Sequence, residues 1–130
     1  MRDILSDLVA EQQFLDQSLQ RIPIKIWDYQ TPAKPWTVRD TIAHLADFEE
    51  LAADVIAGGD AIKRWQNAAD LDTLRKEAIT KGRNMRPQDV IEWWRGGRAK
   101  VVEPLSHMKA DDRIDWIAGD MSARTFAQFR

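Results

Sequence analysis

PWTVRDTIAHLADFEELAADVIAGG, residues 35–59, opens and closes like one long helix. Thr37 has the chemistry of an N-cap, and Asp40 follows three residues later to complete a capping-box-like pair. Gly58 and Gly59 supply a stop. Between them Val38, Thr41, Ile42, His44, Leu45, Phe48, Leu51, Ala52, Val55 and Ile56 fall on one side at about 100° per residue. That arc covers roughly half the circumference, wider than the stripe of a helix lying on a surface. The spacing therefore predicts a helix with neighbours on two flanks. Arg39, Asp40, Asp47, Glu50 and Asp54 are expected to point the other way, and His44 lies inside the apolar arc.

A buried imidazole is commonly a hydrogen-bonded core residue, a metal ligand or a catalytic base. The string Trp36, Val38, Asp40, His44, Leu45 resembles the helix-2 motif (Trp-x-Val-x-Asp-x-x-x-His-Leu) of the DinB-like superfamily. More closely it resembles the N-terminal metal-binding domain of mycothiol-dependent maleylpyruvate isomerases and their uncharacterised actinobacterial-type relatives. Further matching stretches are Thr31-Pro32-Ala33, Trp93-Trp94, Asp112-Arg113 with Trp116, and Met121-Ser122-Ala123-Arg124, so the resemblance runs through nearly the whole chain. It implies that His44 is one of three ligands to zinc or another divalent metal. The family's other two ligands lie on the fourth helix, in a stretch resembling Glu-Thr-Trp-x-His-Gly. This sequence stops at Arg130 before such a stretch, so the ligand set and the domain read as C-terminally incomplete.

Composition bounds the remaining function classes. A chain of 130 residues suits one domain, 1–130, with a respectable core. Nineteen basic residues against 21 acidic ones give −2, which implies no general attraction to nucleic acid or anionic membrane. There is no cysteine, so disulfides, thiolate ligands and a cysteine nucleophile are excluded, and any thiol chemistry needs an exogenous small thiol. No apolar run approaches the ~18 residues of a membrane span, and the N-terminus lacks a signal-peptide core, which makes the cytoplasm the expected compartment.

Arg2 to Arg21 read as the first helix, with a stripe of Ile4, Leu8, Leu15 and Leu19. Glu11 and Gln12 interrupt that stripe. They are either long side chains reaching water at its edge or groups turned toward His44. If helices 1 and 2 are antiparallel, His44 lies about 10 Å into helix 2 and level with residues 12–16, so Glu11 or Gln12 could hydrogen-bond the imidazole or a bound water. Residues 23–35 form a connection whose prolines separate the helices and whose Trp27 and Tyr29 are expected to close one end of the bundle. Residues 60–84 contain two pieces of helical spacing, polar enough to lie on the surface, the second ending at Gly82. Their Lys63, Arg64, Arg75, Lys76, Lys81 and Arg83 make either a solvated face or an attraction for an anionic substrate. A crossover of this length lets the next helix run parallel to helix 2.

Pro87 begins that helix at a plausible first position, with Val90, Ile91, Trp94, Val101, Val102 and Leu105 as its apolar face. Gly96-Gly97 in its middle allows close approach or a kink, and Trp93 and Trp94 cannot both face inward. His107, at its C-terminal end, reads as a cap suited to the helix dipole. Residues 109–120 read as a loop anchored by Trp116. Ser122 then caps a last short helix carrying Phe126 and Phe129.

The expected fold is all-α: a DinB-like four-helix bundle with a long crossover between helices 2 and 3 and a shortened fourth helix. The expected core is Ile4, Leu8, Leu15, Leu19, Ile42, Leu45, Phe48, Ala52, Ile56, Val90, Trp94, Val101 and Leu105. HExxH spacing, a Gly-rich phosphate loop and an arguable Ser/His/Asp order are all absent, so no catalytic residue is assigned. The resemblance implies a divalent-metal-binding domain of a thiol-dependent, mycothiol-type isomerase or transferase relative, not catalytically complete in this chain. The alternatives are a non-catalytic helical interaction module, dimerising through the groove left by the short helix 4, and a folded but inactive relative.

Overall fold

Helix α2 (Val38–Ile56) starts where two reciprocal hydrogen bonds satisfy its first orphan amides. The Thr37 hydroxyl accepts from the Asp40 amide at 3.2 Å, and the Asp40 carboxylate accepts from the Thr37 amide at 3.1 Å. It stops before Gly58, whose φ of +85° only glycine adopts without strain. The computed structural model describes residues 1–32 and 36–128; Ala33, Pro35 and Phe129, named above, lie outside the described residues. Around α2 stand α1 (Arg2–Gln20), α3 (Ile62–Gln66), α4 (Leu71–Arg83), α5 (Pro87–Leu105) and α6 (Ala123–Gln128).

Packing fixes the directions. Ile42, Ala43 and Ala46 of α2 share a cluster with Val90, Ile91 and Trp94 of α5, while Ala52 meets Val101 and Leu105 a few turns on. The two helices therefore run parallel, as the crossover length predicts. Helix α1 is antiparallel to both: Leu19 joins the first cluster, and Leu5 and Leu8 join the second. Helix α6 adds Ala123, Phe126 and Ala127 to that second cluster. The result is the four-helix bundle α1, α2, α5, α6 with α3 and α4 in the crossover. Among the described residues no helix is long and apolar enough to cross a membrane.

Of the expected core, Leu8, Leu19, Ile42, Ala52, Val90, Trp94, Val101 and Leu105 are buried. Ile4, Leu15, Leu45, Phe48 and Ile56 are half-buried, packed against the clusters from their edges. Trp27 closes one end of the bundle at 1% exposure, but Tyr29 stays 60% exposed. Each fully buried large apolar side chain contributes about 1.5–3 kcal/mol.

Three expectations are corrected. First, α3 and α4 do not merely lie on the surface: Ile62, Trp65 and Leu74 form a third cluster with Leu51 of α2. Polar residues fill their outer faces, which masks the buried one. Second, Gly82 does not end its helix. A β-carbon there would stand 2.6 Å from that of Ala43, so this glycine lets α4 lie against α2. Third, residues 109–120 contain a strand, β1 (Arg113–Trp116), paired antiparallel with β2 (Gly119–Ser122). Gly119, at φ +121°, shapes the tight turn, the Arg113–Asp120 ion pair crosses the strands at 2.7 Å, and Ile114 points into the core.

Arg39 and Asp40, which point away from the apolar arc, are buried by what lies on that side of α2. Arg39 bonds the Asp28 carboxylate at 2.9 Å and the Met85 carbonyl, and Asp40, fully buried, accepts two bonds from Arg83 at 3.1 and 3.2 Å. The glycine pair of α5 divides its labour: Gly97 is buried against Glu49 and Glu50 of α2, and Gly96 faces open space. Trp94 is buried, whereas Trp93 covers the rim, donating to Glu50 beneath the Lys81 ammonium, which lies 4.3 Å from its ring centroid.

Candidate functional site

His44 is presented near the N-terminal end of α2, within two turns of the capping box. The preceding segment is tied down by the Trp36 carbonyl, which accepts from the Thr31 hydroxyl at 2.7 Å and the Gln30 amide at 3.0 Å. This sets the Trp36 ring against the imidazole, 5.0 Å between centroids, with Phe48 one turn along at 4.4 Å. Phe48 in turn meets Trp65 and Trp116 edge-on, and Trp116 meets Phe126. A continuous run of rings thus connects His44 to α6.

The imidazole is held inward, as its place in the apolar arc predicts. Its Nδ1 is buried and has no hydrogen-bond partner among the described residues. Burial pushes its pKa below the ordinary value, and the Arg75 cation pushes the same way, so the neutral form is favoured. A neutral imidazole with a free nitrogen is the form that ligates metals.

The other proposed participants lie elsewhere. Glu11 is exposed and Gln12 half-buried, and both line a cleft of about 540 Å³ with Leu15, Leu45, Glu49 and Trp94. They share the cleft with Leu45 of α2, and neither bonds His44 Nδ1. His107, on the far end of the parallel helix α5, does not cap it. Its ring is exposed and pairs with the Glu103 carboxylate at 2.9 Å, one turn back on the solvent side. Of the six crossover cations, Arg64, Arg75, Lys81 and Arg83 are each paired with a carboxylate.

Two further charged features stand outside the His44 environment. Asp16 is buried on α1, where Arg95 holds both its oxygens at 2.6 and 2.8 Å and Arg98 reaches it at 2.8 Å. Its signal was an acid among leucines on one helix and arginines at i, i+3 spacing on another. Asp47 lines a second cleft, of about 580 Å³, with Glu50, Asp54, Arg64, Trp65 and Lys100. Burial, and then the nearby Glu50 charge, raise its carboxyl to about 6. Among the described residues no three His, Asp or Glu side chains converge as a metal-binding group.

Residues 8–130 match the family described as mycothiol maleylpyruvate isomerase N-terminal domain. The chain belongs to that family. Two uncharacterized proteins from two strains of Mycobacterium tuberculosis are 27% identical to it over 128 residues, covering 97% of this chain and 50% of their own length. The chain thus spans about half the length of these curated relatives. A crystal structure of the mycothiol-dependent maleylpyruvate isomerase superposes with a TM-score of 0.73, and that of a histidine-to-alanine mutant of it with 0.75. Each is 12% identical and matches 97% of this chain and 54% of that one. At that identity the likeness establishes the shared helical fold.

Proposed function

We propose that this chain is the metal-binding part of a thiol-dependent, mycothiol-type isomerase or transferase relative, in which His44 gives one ligand to a divalent metal, zinc in the first instance. The observation that carries the reading is the His44 imidazole: neutral by burial, clamped between Trp36 and Phe48, with Nδ1 left without a partner. Family membership supports it. A catalytic zinc takes three protein ligands and keeps one position open, and the described residues supply one of the three. The remaining donors, on this reading, come from outside the described residues. When bound, the metal would lower the pKa of a small exogenous thiol, which a chain without cysteine requires from elsewhere. The protein's own share is to hold the imidazole in one orientation and keep it unprotonated.

A zinc titration followed through the imidazole NMR signals tests this. With one protein donor the chain is expected to bind zinc weakly, shifting the His44 ring signals, and His44→Ala is expected to lose that response while an unchanged circular dichroism spectrum shows that the variant folds. A zinc response that persists in His44→Ala, or His44 ring signals that zinc leaves unmoved, overturns the assignment.

A second reading, a non-catalytic helical interaction module, is favoured by Phe14. This large side chain is 74% exposed at the mouth of the apolar cleft between α1 and α2.

A further inference from the structure

We infer that the outer face of α1 is a two-fold interface between two copies of this chain, with the α1 helices antiparallel and crossing at Phe14. This deepens the interaction-module reading and does not depend on a metal at His44. The face is defined by helical spacing: Asp7, Glu11, Phe14, Gln17 and Arg21 recur at three- and four-residue intervals. All five are exposed: Asp7, Phe14 and Arg21 form the ridge of the face, Gln17 stands on its far side, and Glu11 stands at its edge beside the cleft that α1 shares with α2. Phe14 is, among the described residues, one of three large apolar side chains left mostly exposed, and exposed apolar surface on a helix that is polar elsewhere marks contact sites.

Charge decides the partner. The face is acidic before Phe14 (Asp7, Glu11) and basic after it (Arg21). Among the described residues none of these three makes an ion pair, although Arg95, Arg98 and Arg113 all do. Asp7 and Arg21 stand seven residues to either side of Phe14, about 10 Å along the helix axis. Turning a second copy about a two-fold axis through Phe14 therefore brings Asp7 of each copy opposite Arg21 of the other and Glu11 opposite Gln17. The two phenyl rings then meet on the axis beside the clefts that Phe14 borders. A surface complementary to itself under that rotation is what an isologous dimer requires, and a parallel arrangement would set like charges together.

Sedimentation velocity across a concentration series provides the test. The wild-type protein is expected to show a monomer–dimer equilibrium that weakens with added salt. Phe14→Glu should raise the dissociation constant at least about tenfold. Asp7→Arg and Arg21→Asp should each weaken the dimer, and the double variant, which restores opposite charges across the axis, should recover it. Because the chain has no cysteine, Phe14→Cys gives an independent readout: mild oxidation should convert it to a disulfide-linked dimer. A protein monomeric at every concentration overturns the inference. So does a dimer indifferent to Phe14→Glu, or one that the double charge reversal fails to rescue.

Discussion

Replacing Gly96 and Gly97 by alanine, one at a time, separates helix propensity from helix packing within α5. Both glycines sit in mid-helix, so each alanine gains about 0.8–1 kcal/mol of propensity. At Gly96 the added methyl meets nothing within 4 Å, and Gly96→Ala should stabilise the protein by about that amount. At Gly97 it would stand 2.7 Å from Glu49 Cβ, with the backbone of Glu49 and Glu50 at 3.4 to 3.5 Å. Carbon atoms rest at about 3.5–4.0 Å, so α5 would have to withdraw from α2 by about 1 Å. A β-carbon and backbone atoms cannot swing aside as a side-chain tip can. Overpacking of this kind costs about 1–3 kcal/mol, which leaves Gly97→Ala between neutral and about 2 kcal/mol destabilised. Propensity cancels between the neighbours, so the two variants should differ by the packing term of about 1–3 kcal/mol. Urea unfolding followed by circular dichroism reads this as a midpoint shift at constant slope, and thermal unfolding as about 4 °C per kcal/mol at this chain length. Equal stabilisation of the two variants would refute the close approach of α5 to α2.

Asp16→Ala should destabilise by about 3 kcal/mol, the lower end for breaking a buried pair, because Arg95 and Arg98 keep some water. The hydrogen bonds from Arg95 hold the Asp16 carboxyl well below the usual carboxylate range. Its contribution is therefore complete above the unfolded value of about 3.9 and declines as pH falls further. The stability gap between wild type and variant, measured in urea at pH 7 and pH 3, should narrow at the lower pH, and a constant gap counts against the cluster. Asp47 carries the opposite sign. Its folded value of about 6 exceeds the unfolded one, so folding takes up a proton and stability falls as pH rises from about 4 to 6. Asp47→Asn should accordingly unfold at higher urea than wild type at pH 8 and at nearly the same urea at pH 4. A difference independent of pH would show that the carboxylate is not desolvated.

The parts of the fold that were legible in the sequence are those written in local periodicity. The Thr37–Asp40 pair set the start of α2, and the length of residues 60–86 was enough to make α5 parallel to it. What stayed hidden depends on residues brought together from afar. Arg39 and Asp40 point away from the apolar arc, and periodicity says nothing of what meets them there: their partners lie 11 residues upstream at Asp28 and 43 downstream at Arg83. Gly82 looked like a stop because only the neighbour Ala43 gives it a packing role. The hairpin was missed although Arg113-Ile114-Asp115-Trp116 alternates, since four residues give a weak signal.

The candidate site shows the same boundary at the scale of one residue. Periodicity places a side chain at an angle around its own helix and is silent about which neighbour stands there. His44 and Leu45 are both inside the apolar arc, one step of about 100° apart, and the level of Glu11 and Gln12 along α1 suits either. In the folded chain Leu45 takes the cleft shared with α1, whereas His44 turns toward Trp36 and Phe48 on the side of α4. The rotation that removes Glu11 and Gln12 from the imidazole also leaves Nδ1 without a partner. One residue of sequence thus separates a side chain that meets α1 from one that meets the Trp36 and Phe48 rings, and only the positions of the neighbouring helices, which periodicity does not carry, decide between them.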